Sequence, residues 1–195
     1  MRAMRENPSL KPANCQGVDL LDPLAHYYEA IGAPLPRPRP VSPEQMPQPC
    51  RRLLVHTNDM TPTLEAFVGQ PLALRPLRKQ LNGHTLERTV VLVGTRDGRP
   101  IEFGAIRIHL DTFDERARKV IRASRVPLGA ILRDQRIEHT CHPGAYFRVE
   151  SDPVMNEALR LKGAHALHGR HNTMQHSGRS MAEVVEILPP LDEPK

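Results

Sequence analysis

Three glycine turns, Asn82-Gly83, Asp97-Gly98 and Ser177-Gly178, each divide two stretches able to run as extended strands. Turn chemistry of this kind joins neighbouring antiparallel strands, so it constrains the chain more than any other feature. Residues 72–81, 84–95 and 100–110 are therefore predicted to be three consecutive antiparallel strands, and 165–176 and 180–188 a further pair. Segment 136–149 reads as another strand, with a break at Pro143-Gly144. Helices are predicted among them at 113–123, 127–132 and 153–161. An earlier helix starts at Thr61-Pro62, presents Leu64, Phe67 and Val68 on one face and stops at Gly69. About six strands joined mostly by hairpins, with helices inserted, predict an α+β domain on a single antiparallel sheet.

Ten of the 20 prolines fall between Pro8 and Pro49. Residues 1–47 are accordingly expected to be a Pro-rich N-terminal extension, helical only over 20–31 and polyproline-like from 33, while 48–195 make the folded domain. Residues 51–55 read as strand. A length of 195 residues suits one domain with a real core.

The balance of 27 Lys and Arg against 22 Asp and Glu gives +5, which suits anionic ligands in general. The basic run Arg116, Arg118, Lys119, Arg122 and Arg125 reads as a solvated helix face. With only three Tyr and four Phe in the chain, no stacking platform accompanies it, so no nucleic acid is expected. Residues 1–17 hold no apolar run that could act as a secretion signal, and no stretch approaches membrane-spanning length. Cys15, Cys50 and Cys141 are odd in number and lack paired ligand spacing, which points to reduced thiols and a cytoplasmic setting. His165, His168 and His171 recur every third residue, but a strand turns His168 away from the other two. No metal is expected from them.

Alternation along the strands singles out two charges. In 84–95, Arg88 shares a face with Leu86, Val90 and Leu92; in 180–188, Glu186 shares one with Ala182, Val184 and Leu188. A charge among core residues costs several kcal/mol unless something pairs with it. Three arrangements meet that demand: the pair neutralise each other, they reach solvent along a sheet edge, or both face a pocket where Arg88 grips a carboxylate and Glu186 moves a proton.

From residue 56 onward, about two thirds of the chain resembles the chorismate lyase family, which converts chorismate to 4-hydroxybenzoate and pyruvate. His56-Thr57-Asn58-Asp59-Met60-Thr61 is similar to the family's D-S-M-T helix start, and Leu86-Glu87-Arg88-Thr89-Val90-Val91 to its arginine-bearing strand. Asp97-Gly98-Arg99-Pro100 resembles the D-G-x-P turn, and Val126-Pro127-Leu128-Gly129 the T-P-L-G segment. Gly169-Arg170, Ser177-Gly178 and Val185-Glu186-Ile187-Leu188-Pro189 resemble the closing hairpin, whose second strand carries an essential Glu. The extension, a longer hairpin at 96–99 and the strand-like 51–55 depart from the pattern.

The resemblance implies one antiparallel sheet of about six strands with helices covering an internal ligand pocket. It implies Glu186 as catalytic acid, Arg88 as the carboxylate-binding residue, and Met60 and Leu128 as backbone contacts and apolar lids. It also implies a small dicarboxylate substrate, cleaved by elimination and aromatisation without cofactor or metal. A second cation for the second carboxylate would come from Arg107, Arg170 or Arg179. The alternative is a non-catalytic module of the same fold that binds an aromatic carboxylate, as in the effector-sensing domains of bacterial regulators. The proline-broken first 47 residues could not supply such a regulator's DNA-binding helices.

Overall fold

A computed structural model describes residues 19–191. Cys15, Pro8 and Pro12 lie outside them. The chain runs α1 (Leu24–Ile31), β1 (Arg39–Val41), α2 (Cys50–Leu54), α3 (Met60–Val68), β2 (Leu72–Asn82), β3 (Thr85–Gly94) and β4 (Pro100–His109). It continues with α4 (Glu115–Ala123), α5 (Leu128–Asp134), β5 (Thr140–Glu150), α6 (Pro153–Leu159), β6 (Ala166–His176) and β7 (Arg179–Leu188). One seven-stranded sheet holds every strand, in the order β1-β5-β6-β7-β4-β3-β2. All its pairings are antiparallel. This is the α+β sheet that the turns imply.

The turns do their work at slightly different residues. Asn82 pairs with Thr85, so Gly83 and His84 form the two-residue loop, and Gly83 alone takes a positive φ of 58°. That pattern belongs to a type II′ turn, which needs a residue free of Cβ at its first central position. At the other end of the sheet, Ser177 and Gly178 both adopt positive φ, as a type I′ turn requires. The break at Pro143 is a bulge within β5, where the register against β6 shifts.

Two expectations are corrected. The seventh strand is β1, formed inside the Pro-rich segment and paired to the outer side of β5. Pro40 has no amide hydrogen to give, and an edge strand is where that loss is tolerated. Residues 51–55 are not strand: α2 occupies Cys50–Leu54. Cys50, Leu53 and Leu54 are its buried residues, a spacing of three and four that a helix places on one face.

Helices cover both faces of the sheet. On one face, α1 and α6 pack over Val91, Phe103, Ala105, Phe147, Val185 and Ile187. Leu20, Leu21, Leu24 and Tyr28 belong to this cluster, so part of the Pro-rich segment is core. The other face carries two apolar clusters. The first joins α4 and α5 to Leu86, Ile106, Ile108, Met174 and Val184; the second joins α2 and α3 to Leu72, Leu92 and Leu188. No helix among the described residues is long and apolar enough to cross a membrane.

Because Leu24 is fully buried between helix and sheet, Leu24→Ala should cost about 2–5 kcal/mol of stability, the usual range for a core leucine. Urea unfolding of the full chain measures it. A change under about 0.5 kcal/mol, the level of a neutral surface substitution, would mean that α1 is not part of the cooperative core.

Candidate functional site

The two clusters under α2, α3, α4 and α5 do not merge; a hollow separates them. Its sheet floor follows from strand register. Arg88 on β3 lies opposite Ile106 on β4, which lies opposite Val184 on β7, which lies opposite Asn172 on β6. Residues two positions along share that face, so Val90, Gly104, Glu186 and Arg170 form a second row. Glu102 and Leu92 pair in a third. Four charged side chains, Arg88, Glu102, Arg170 and Glu186, thus share one buried face.

Gly104 helps keep the hollow open. A Cβ there would stand 2.4 Å from the Val185 carbonyl oxygen and 3.2 Å from Glu102 Oε1. The roof includes Met60 and Thr61 from α3 and Leu128 and Gly129 from α5. The cavity volume is about 70 Å³, room for several waters or one small organic acid.

Arg170 is fully buried. Its Nε donates to Glu186 Oε2, and its Nη1 donates to the carbonyl oxygens of Leu54, at 3.1 Å, and His56, at 3.0 Å. Burial favours the neutral guanidine most strongly of any one influence, but the charge and hydrogen bond of Glu186, with smaller help from Cys141 and Glu102, together raise the Arg170 pKa. Arg88 is 3% exposed and is treated differently. Its Nη1 donates to the Val126 carbonyl at 3.3 Å, its Nε has no partner, and no acidic residue among those described forms an ion pair with it. Burial pushes its pKa down to about 10.

Glu102 faces the same space with 5% exposure, and its Oε2 is unpartnered. Burial drives its carboxyl well above the usual range, the nearby Glu186 charge adds to that, and Arg170 opposes it. Burial and the Glu186 carboxylate thus both favour the protonated form of Glu102 beside its arginine-paired neighbour. Asn172 completes the polar lining, with Oδ1 also unpartnered. A cation with no counterion among the described residues and a carboxyl that burial pushes toward its protonated form share one hollow; that combination can hold an anion and present a proton to it.

The expected site residues divide into two groups. Arg88, Glu186, Met60 and Leu128 all line the hollow, and Arg170 touches it through Glu186. Arg107 does not. It lies on the opposite face, gripped by Asp22 at 2.6 and 2.7 Å and by Glu87 at 2.7 Å. Arg179 is exposed at the last hairpin, bonded to Asp111 at 3.1 Å. Neither can serve a ligand in the hollow. Glu102 and Asn172 were not foreseen. Alternation in β4 (Glu102, Gly104, Ile106, Ile108) carries the same signal that exposes Arg88, a charge in an apolar row.

No family model matches the chain, and no curated protein matches its sequence. Solved structures do match. PhnF from Mycobacterium smegmatis superposes with a TM-score of 0.50 over 85% of this chain and 92% of its own, at 11% identity. The ligand-binding domain of a Bordetella bronchiseptica protein assigned to the GntR family of transcriptional regulators gives 0.45 at 12% identity, over 60% of this chain and 85% of its own. Gene product SA0254 from Staphylococcus aureus gives 0.46 at 8% identity, over 70% and 90%. At such identities the likeness is one of architecture, and the architecture is the chorismate lyase-like α+β fold.

Proposed function

We propose that the hollow binds a small single-ring organic acid as its carboxylate, with Arg88 as the anchor. One observation carries this reading: a buried guanidinium whose one hydrogen-bond partner among the described residues is the Val126 carbonyl. Burying an unpaired charge costs several kcal/mol, and a ligand carboxylate would remove that cost with two parallel hydrogen bonds. Arg170 is already engaged by Glu186 and two backbone carbonyls. The charge balance of the lining therefore suits one carboxylate better than the dicarboxylate that the family resemblance implies.

A second reading, cleavage of chorismate to 4-hydroxybenzoate and pyruvate, is favoured by the protonated Glu102 next to Glu186. In that reaction the ring C–O bond of the enolpyruvyl ether breaks and a proton leaves the adjacent ring carbon, so the ring becomes aromatic. A proton is then taken up at the methylene of the departing enolpyruvate. An acid and a base in one dry pocket, with Arg88 orienting the ring carboxylate, are what this chemistry asks of the protein.

Calorimetry with 4-hydroxybenzoate tests the anchor. Arg88→Ala should weaken binding about 30-fold or more, the value of a lost charge-assisted contact of roughly 2 kcal/mol or above. Unchanged affinity would sink the binding reading. Incubation with chorismate tests the second: release of pyruvate, abolished in Glu102→Gln, is expected of a lyase, whereas binding without release leaves a ligand-sensing module.

Glu102 also makes a prediction about stability. Its folded pKa lies above its ordinary value of 4.5, so the folded state holds this proton more tightly than the unfolded chain does. The stabilisation is complete below pH 4.5 and is lost as pH rises through the raised folded value. Urea unfolding at stepped pH should show that decline in the wild type and a flatter profile in Glu102→Gln. Parallel profiles would contradict a protonated Glu102.

A further inference from the structure

At the rim of the hollow, three groups unlike in chemistry converge. The Asp59 carboxylate, the His139 ring and the Cys141 thiol bring one ligand atom each to within 4.8 Å of one another. His139 Nε2 lies 2.7 Å from Asp59 Oδ1, and Cys141 Sγ lies 3.6 Å from the same oxygen. We propose that Asp59, His139 and Cys141 form a zinc-class metal site whose fourth position opens toward the ligand hollow.

Two of the three ligand separations are close to those of a tetrahedral ion, and the third is at most 4.8 Å. Bonds of about 2.0–2.3 Å to oxygen, nitrogen and sulfur place neighbouring ligand atoms roughly 3.4–3.7 Å apart. The Cys141 to Asp59 separation already has that value, and the Asp59 to His139 contact need open by less than about 1 Å. One carboxylate, one imidazole and one thiolate are a borderline-soft set that zinc accepts and that magnesium and calcium do not favour.

Three features of the surroundings are those of a prepared site. His139 Nδ1 lies 3.0 Å from the Ile137 carbonyl, which keeps the proton on that nitrogen and leaves Nε2 as the donor atom for a metal. Asn172, buried on the neighbouring strand, stands beside the Cys141 side chain and leaves its Oδ1 unpartnered. Asp59 stands at the N-cap of α3 yet makes no side-chain capping bond; its carboxylate is turned to His139 and Cys141 instead. An ion pair between Asp59 and His139 alone would explain neither the thiol nor its buried amide neighbour.

Position gives the site a role. Asp59 and Cys141 line the ligand hollow, while Asp59 and His139 line the broader outer depression beside it. An ion held by three protein groups would sit in the wall between the two. Its open coordination position would take water or a second oxygen of a ligand whose carboxylate reaches Arg88. Three protein ligands with one position left open is the arrangement of zinc sites that engage small molecules rather than brace a fold.

Cobalt(II) tests this on the metal-free full chain, because a cobalt–thiolate bond gives a charge-transfer absorption that histidine and carboxylate do not. One equivalent should bind with that absorption, and added zinc should displace it. The absorption should vanish in Cys141→Ser and persist in Cys50→Ser. Asn172→Ala, which leaves all three ligands in place, should weaken binding about 10-fold. A wild-type titration without thiolate absorption, absorption that survives Cys141→Ser, or affinity indifferent to His139→Ala would each overturn the site. The wild-type titration decides even if a variant fails to fold. None of these readouts depends on what the hollow binds, so failure here leaves the Arg88 anchor standing.

Discussion

The buried pair Arg170 and Glu186 is the interaction on which the helix-covered face depends. Two charges removed from water must satisfy each other and everything around them. Arg170 reaches from the sheet to the carbonyl oxygens of Leu54 and His56, which lie at and just beyond the end of α2, while its Nη2 is left without a partner. One guanidinium thus ties β7, β6 and the first cover helix together. With Glu186 engaged in this way, Glu102 is the carboxyl pushed toward its protonated form, and Arg88 has no counterion among the described residues. The polarity of the hollow is a consequence of how this one pair is satisfied.

Parts of this arrangement are legible in the amino-acid sequence. Hairpins at Gly83 and at Ser177-Gly178 follow from local turn chemistry, because positive φ at a defined position is a demand that few residues meet. Arg88 and Glu186 stand out because strand alternation places each among apolar neighbours, and Glu102 carries the same mark in β4. Arg170 is different. Its row on β6, with His168, Asn172 and Met174, is polar enough to read as a wet face. What buries it is α2, 116 residues earlier in the chain, and no local pattern announces so distant a partner. The same holds for Arg107, whose ties to Asp22 draw it to the other face.

The proline-rich stretch shows a second kind of illegibility. Prolines predict extended backbone between α1 and α2, and β1 is indeed extended. Nothing in composition says that such a strand will dock against β5 or that Leu21, Leu24 and Tyr28 will be fully buried before it. Residues 20, 21, 24 and 28 nonetheless carry helical spacing, which is a stronger guide to packing than the surrounding proline count. Where periodicity and composition disagree, periodicity reports on burial and composition on backbone freedom.

The divided apolar packing above the sheet bears on how the molecule opens. Since α2 and α3 rest on one cluster and α4 and α5 on another, the cover consists of two plates seated separately on a common base. Parting them need not dismantle either plate's own packing. The bonds that span the join are polar, from Asp59 at the tip of α3 to His139 and Cys141 beside α5. The seam between the plates is therefore held at that point by three polar side chains rather than by apolar packing.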